Sequence, residues 1–364
     1  MNKNKKKILV PFRFENLNNL LNNKTHSPTE FTYGFYDLSL KNQFILDFVY
    51  ELRGRKDTLL RKFFFLIEFP FAKITKLGLP LSIFFKHKKK YKNVDLIFCI
   101  NDPISLSILF CKKFFFIKSK VITLFQSLPE RKLKFYKNNI ILKYMFRSLL
   151  NSSDQILVLS ESAKYELQNY IGIDSSKIMV FDFGVDINFW TYKQTKKENN
   201  GYILSVGNDM NRDFETLINS LASYYKIKIV TKQKIVNENV EIYNNVTDIE
   251  LRNLYQNARI VVIPSKKVMT ESSGLSSTLQ SMACGTPVVA SFSLPFKEIF
   301  DDTTDILYFE PNNCESLKKI VDKYWNNSAE LSIISKNAYE IVKNKRNTKN
   351  MLKQIENIIL KTLV

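Results

Sequence analysis

Residues 258–291 constrain this chain most. ARIVVIPS (258–265) is a short apolar, β-branched run, which predicts a buried strand. GTPVVAS (285–291) is a second such run. Between them stand a small-residue loop, Ser272-Ser273-Gly274-Leu275-Ser276, and then STLQSMAC, in which Leu279, Met282 and Ala283 share one helical face. The unit is strand, loop, helix, strand. The loop lies at the carboxyl end of a strand and the amino end of a helix, where backbone N–H groups point outward and the macrodipole favours negative charge. Small side chains let an anion approach, so the loop suits a phosphate. An ordinary βαβ connection with serine N-caps accounts for the same residues.

The rest of the chain repeats the alternation. KILVPF (7–12), VDLIFCI (94–100), KVITLFQ (120–126), DQILVLS (154–160) and KIMVFDFGVD (177–186) read as strands with helical segments between them. After a polar linker, 191–201, the run YILSV leads into Gly207, Asn208 and Asp209, with a helix near Arg212. That is a second strand–loop–helix junction, and a guanidinium there can hold a phosphate through its planar fork. KIKIVT is the next strand, and Thr247 with Glu250 forms a capping box. DILYF (305–309) is a last short strand, followed by two helices. The final one places Met351, Leu352, Ile355, Ile358, Ile359 and Val364 on an apolar stripe that should pack on the body of the protein. Strands alternating with helices predict parallel, doubly wound sheets. The expected division is 1–190, a linker at 191–201, 202–340, and a returning helix at 341–364. No glycine-rich loop follows the first strand, which argues against a nicotinamide site there.

At 364 residues and 45% hydrophobic content the chain can hold two globular domains. No apolar run reaches the roughly 18 residues that span a bilayer, and the first apolar run is too short for a signal peptide. The four cysteines (Cys99, Cys111, Cys284, Cys314) lack metal-type spacing and read as reduced thiols. The net charge is +19, and residues 1–190 carry most of it, with 31 Lys and Arg against 16 Asp and Glu. Nucleic acid, an anionic membrane and phosphorylated substrates are the candidate partners. Residues 53–92, 111–120 and 130–150 interleave phenylalanine with lysine and arginine. They read either as amphipathic surface for an anionic lipid face or as a core with a solvated charged side. Nucleic acid is disfavoured, because no nucleic-acid motif accompanies the charge.

DFGVDINFW, SVGN with NRDFETLI, LYQNARIVVIPS and SSGLSSTLQSMACGTPVVAS occur in the order seen in retaining glycosyltransferases of family 4, which the chain resembles. The likeness is strongest in the second half. It implies a GT-B fold of two Rossmann-like domains facing a cleft, a nucleotide-sugar donor on the second domain and an acceptor on the first. It implies an enzyme that moves a sugar from a UDP- or GDP-sugar with retention, needing no metal and no resident cofactor. The acceptor would be a glycan or lipid-linked, as in surface-polysaccharide building. It is the basic, phenylalanine-rich amino-terminal half, beside the resemblance, that motivates the lipid-linked acceptor and a peripheral position on the inner face of the cytoplasmic membrane.

Carried onto this chain, Gly207, Asn208, Arg212, Ser273, Gly274, Leu275 and Ser276 would bind the phosphates. Gln280 stands where the family has the glutamate that binds the ribose. Ser272 occupies the position of the other family glutamate, and Glu271, one residue earlier, is the candidate for its catalytic role beside Arg212. Gln126 stands where many members carry a histidine facing the donor sugar. The chain's two histidines, His26 and His87, lie elsewhere. These departures motivate an alternative: a non-catalytic relative that binds nucleotide sugar or membrane as a partner subunit.

Overall fold

The computed structural model describes residues 5–13, 20, 27–50, 58–75, 77–115, 117–128, 139–193, 201–267, 270 and 272–364. The chain forms two compact units. The first gathers Met1–Thr25, Thr32–Phe181 and Leu352–Val364; the second gathers His26–Phe31 and Asp182–Met351. This differs from the division expected at 190 and 202. The GVDINFW run packs in the second unit, because Asp186 and Trp190 bond there to Thr29 and Glu30.

Among the described residues the first unit holds a six-stranded parallel sheet. Its strands are β1 (Lys7–Phe12), β2 (Ile45–Tyr50), β3 (Leu96–Cys99), β4 (Lys120–Phe125), β5 (Gln155–Val158) and β6 (Ile178–Val180), in the order β2-β1-β3-β4-β5-β6. The interior strands are apolar throughout because helices cover both faces; LIFC of β3 and QILV of β5 are almost wholly buried. β2 pairs with β1 residue for residue from Lys7↔Ile45 to Phe12↔Tyr50. The last helix, Thr348–Leu363, buries Leu352, Ile355, Ile358 and Ile359 as its stripe predicts, while Val364 is exposed. In the first unit it is joined to the helix Phe35–Leu40 region by a Lys41–Glu356 ion pair at 2.6 Å.

The second unit repeats the design with β7 (Ile203–Val206), β8 (Ile227–Val230), β9 (Val240–Tyr243), β10 (Ile260–Ile263), β11 (Val288–Ser291) and β12 (Leu307–Phe309). The order is β12-β11-β10-β7-β8-β9. One face packs Ile203, Ile229, Val262 and Val289 against Phe214, Leu217, Leu317 and Val321 of the helices Phe214–Leu221 and Cys314–Trp325. The expected capping box is present at the helix Asp248–Asn257: the Thr247 hydroxyl accepts the Glu250 amide at 3.2 Å, and Glu250 accepts the Thr247 amide at 2.7 Å. No helix among the described residues is long and apolar enough to cross a membrane.

In each sheet the order reverses once, between β1 and β3 and between β7 and β10. Ligands of open α/β sheets bind outside the carboxyl ends of the strands at such switch points.

Candidate functional site

The second unit's switch point is built around one side chain. β7 ends at Val206 and the chain turns through Gly207, whose amide bonds to the Val230 carbonyl at 3.1 Å. The Arg212 side chain folds back across that turn and is 2% exposed. A Cβ on Gly207 would stand 2.0 Å from the Arg212 Nε, so only glycine permits this crossing. The guanidinium donates from Nε to the Val206 carbonyl (3.1 Å) and from Nη1 to the hydroxyls of Ser265 (3.2 Å) and Ser273 (3.3 Å). Asp209 Oδ2 lies 3.6 Å from Nη2, and Asp209 Oδ1 accepts the Ser273 hydroxyl at 2.9 Å. An isolated antiparallel bridge, Arg212 with Ser265, ties the loop after β7 to the loop after β10.

The helix Leu275–Ala283 begins against this guanidinium. Its N-cap, Gly274, has φ +91° and brings no side-chain acceptor. A Cβ there would lie 2.5 Å from Ile263 Cγ2 and 2.8 Å from Arg212 Nη1, so the position excludes any other residue without strain. A buried positive charge therefore sits at the positive end of a helix. Like signs repel, and the half-exposed carboxylate of Asp209 is the acidic group within ion-pair distance among the described residues. The Ser272 hydroxyl is buried nearby with no hydrogen-bond partner among them; a buried polar atom without a partner is costly unless something arrives to satisfy it. The arrangement suits an anion.

The structure brings together Gly207, Asn208, Arg212, Ser273, Gly274, Leu275 and Ser276. Three of them are engaged within the protein. Nε and Nη1 of Arg212 are engaged by protein acceptors, which fix its charge behind the loop. The Leu275 amide closes a turn onto the Ser272 carbonyl at 3.1 Å. Asn208 accepts the Lys232 amide at 2.6 Å through Oδ1 and so joins the loops after β7 and β8. Ser276 is half-buried in the helix's first turn. Glu271 lies outside the described residues.

Gln280 lies inside the second unit. It is 5% exposed; its Oε1 accepts from the Tyr255 hydroxyl at 3.3 Å, and its Nε2 donates to Glu30 Oε1 at 3.0 Å. Through these two bonds the buried amide ties Tyr255 to Glu30. Glu30 is the residue that sequence reasoning missed. It is fully buried, accepts the Trp190 indole N–H at 2.7 Å, and neighbours Asp186, whose amide reaches it at 3.4 Å. Asp186 in turn accepts the Thr29 amide and hydroxyl at 3.2 and 3.1 Å. Burial, with the Asp186 charge added, raises the Glu30 carboxyl to about 7 against the hydrogen bonds that lower it. No local pattern marks a contact between residues 250 positions apart.

Gln126 belongs to the first unit's switch point. Its Nε2 donates to the Tyr33 hydroxyl (2.7 Å) and the Ile100 carbonyl (2.9 Å), and its amide bonds to Asp102 at 2.7 Å. Its polar hydrogens fasten neighbouring segments of that unit.

Residues 196–341 match the model of the family described as Glycosyl transferases group 1. The match covers part of the chain, and the fold is of the two-sheet GT-B architecture. Among solved structures it is similar to a sucrose-phosphate synthase from Thermosynechococcus elongatus, with TM-score 0.73 and 14% identity over 98% of this chain and 99% of that one. It is also similar to the Anabaena protein HepE in complex with UDP and glucose (TM-score 0.68, 12% identity, 98% of this chain and 100% of that one). A glycosyltransferase from Rickettsia africae ESF-5 aligns with TM-score 0.60 and 18% identity over 99% of each chain. At these identities the likeness speaks for the fold. No curated protein sequence matches the chain.

Proposed function

We infer that the chain moves a sugar from a nucleoside diphosphate sugar, UDP- or GDP-linked, to an acceptor, with retention of configuration. One observation carries this: the Arg212 guanidinium buried against the side-chain-free N-terminus of Leu275–Ala283 at a sheet switch point. A diphosphate leaving group gains negative charge in the transition state. A preorganised positive site shielded from water stabilises that charge more than it stabilises the ground state. Arg212 supplies charge from behind; the hydroxyl of Ser272 and the helix N-terminus face the oxygens. With retention the acceptor attacks on the face from which the phosphate departs, and the phosphate itself takes the acceptor proton. Glu271 is assigned to the sugar side. The positive charge needed is the protein's own, so the reading calls for neither metal nor resident cofactor. That HepE holds UDP in its structures supports testing uridine nucleotides first. The basic amino-terminal half supports a lipid-linked or growing polysaccharide acceptor, with the protein peripheral on the inner face of the cytoplasmic membrane.

The test is a thermal-shift screen with UDP, GDP, ADP and CMP, followed by their sugars. A ligand at a hundred times its dissociation constant stabilises the fold by about 2.7 kcal/mol. A shift selective for one nucleoside diphosphate is expected. Cooperative unfolding with no shift for any of them would overturn the donor site and favour the non-catalytic alternative.

A further inference from the structure

Among the described side chains of the helix Thr58–Thr75, residues 62–73, those turned inward lie along one side. Phe64 turns inward and stacks on Phe85 with ring centroids 4.4 Å apart, and Phe71 meets Phe146 at 6.2 Å. Glu68 accepts the Leu81 amide at 2.8 Å. Positions 64, 68 and 71 form one stripe. A helix of this kind should be polar on its remaining sides. Here those sides carry Phe63, Phe65, Leu66, Ile67 and Phe69, each between 46 and 75% exposed, with exposed Lys62 and Lys73 among them. Phe114 and Phe115, where the helix Asp102–Phe114 ends, are exposed too, and the Phe115 ring touches Phe85 at 5.0 Å. Clustered apolar surface of this kind marks an interaction site.

Charge selects the partner. Residues 58–118 contain twelve Lys or Arg and three Asp or Glu. Each of the three carboxylates accepts a backbone amide: Glu68 from Leu81, Asp95 from Lys7 and Asp102 from Gln126. A second copy of this chain would bring a further +19 and the same lysines against this face. An anionic bilayer complements it, taking rings into the acyl boundary while the lysines reach the headgroups.

We propose that the outward side of Thr58–Thr75, with Phe114 and Phe115, is a docking surface for an anionic lipid bilayer, on which the helix lies in the membrane plane. This deepens the acceptor part of the proposed function and is independent of the donor site, because its test uses no nucleotide.

The experiment is flotation of the full chain with phosphatidylcholine vesicles and with vesicles of phosphatidylcholine plus phosphatidylglycerol. Wild type is expected to float with the anionic vesicles only. Leu66→Glu should weaken binding at least tenfold with an unchanged melting curve. Lys62→Gln and Lys73→Gln should each weaken it about fivefold. Equal recovery with neutral vesicles, or full binding by Leu66→Glu, would overturn the proposal. So would a lipid-free dimer of the wild type that Leu66→Glu dissociates in sedimentation, since the face would then be occupied by a second copy.

Discussion

The two switch points share a topology and are finished with opposite chemistry. In the first unit the helix after β3 starts at Asp102, whose buried carboxylate takes the amides of Gln126 and Ser127 at 2.7 and 3.0 Å. That helix N-terminus already has its negative charge. In the second unit the helix after β10 starts at Leu275 after the N-cap Gly274, with no side-chain cap, and a guanidinium lies against it. Sheet topology decides where a ligand can bind. Whether the helix end is answered from within decides whether an anion is invited.

Arg212→Ala should break the contrast most severely. It removes a buried charge and leaves the Val206 carbonyl and two serine hydroxyls without their donor, at a cost of about 3–5 kcal/mol. Nucleotide affinity should fall roughly a hundredfold. Asp102→Asn should cost about 1–2 kcal/mol and leave nucleotide affinity unchanged. Chemical denaturation and calorimetric titration of both variants measure the difference.

The second unit also holds Glu30, a buried carboxyl that no cation neutralises among its hydrogen-bond partners Trp190, Gln280 and Asp186. The folded state keeps its proton up to about pH 7, while the unfolded chain releases it near 4.5. Its contribution is therefore complete below pH 4.5 and is lost as pH rises through 7, a decline of about 3 kcal/mol. Melting curves across that window should show the decline, and Glu30→Gln should flatten it.

Gly274→Ala places a methyl against Ile263 and Arg212 at positive φ. The expected cost is about 1–3 kcal/mol, with a loss of nucleotide affinity of roughly tenfold. The smallest change gives the second unit what the first already has. Ser276→Asp should raise stability by about 0.3–1 kcal/mol and lower nucleotide affinity, because a carboxylate then competes with the phosphate for the helix end. A rise in both would show that the site does not bind an anion.

Legibility followed burial and sequence distance. The interior strands β4, β5, β7 and β10 stood out as apolar runs because both their faces are covered. β2 and β9 escaped because each lies at a sheet edge and is only half-buried, so ILDFVY and VEIY carry no clear pattern. The Thr247–Glu250 box was legible because its partners lie three residues apart. The small-residue loop before the helix Leu275–Ala283 was legible from its composition. The roles of Arg212 and Gln280 were not, since burial of a guanidinium and a partner 250 positions away leave no local trace. Interleaved Phe and Lys in 58–75 could not tell inward from outward. The structure turns Phe64 in and five large apolar neighbours out.

The most direct measurement is amide hydrogen exchange of the full chain with and without UDP or GDP, whichever shifts the melting temperature. Slowed exchange confined to residues 205–213 and 272–282 is the predicted result, because in the proposed donor site the loop after β7 and the first turn of Leu275–Ala283 would hold the phosphates. Binding that protects the Asp102 switch point, or that leaves 272–282 unchanged, would contradict the account.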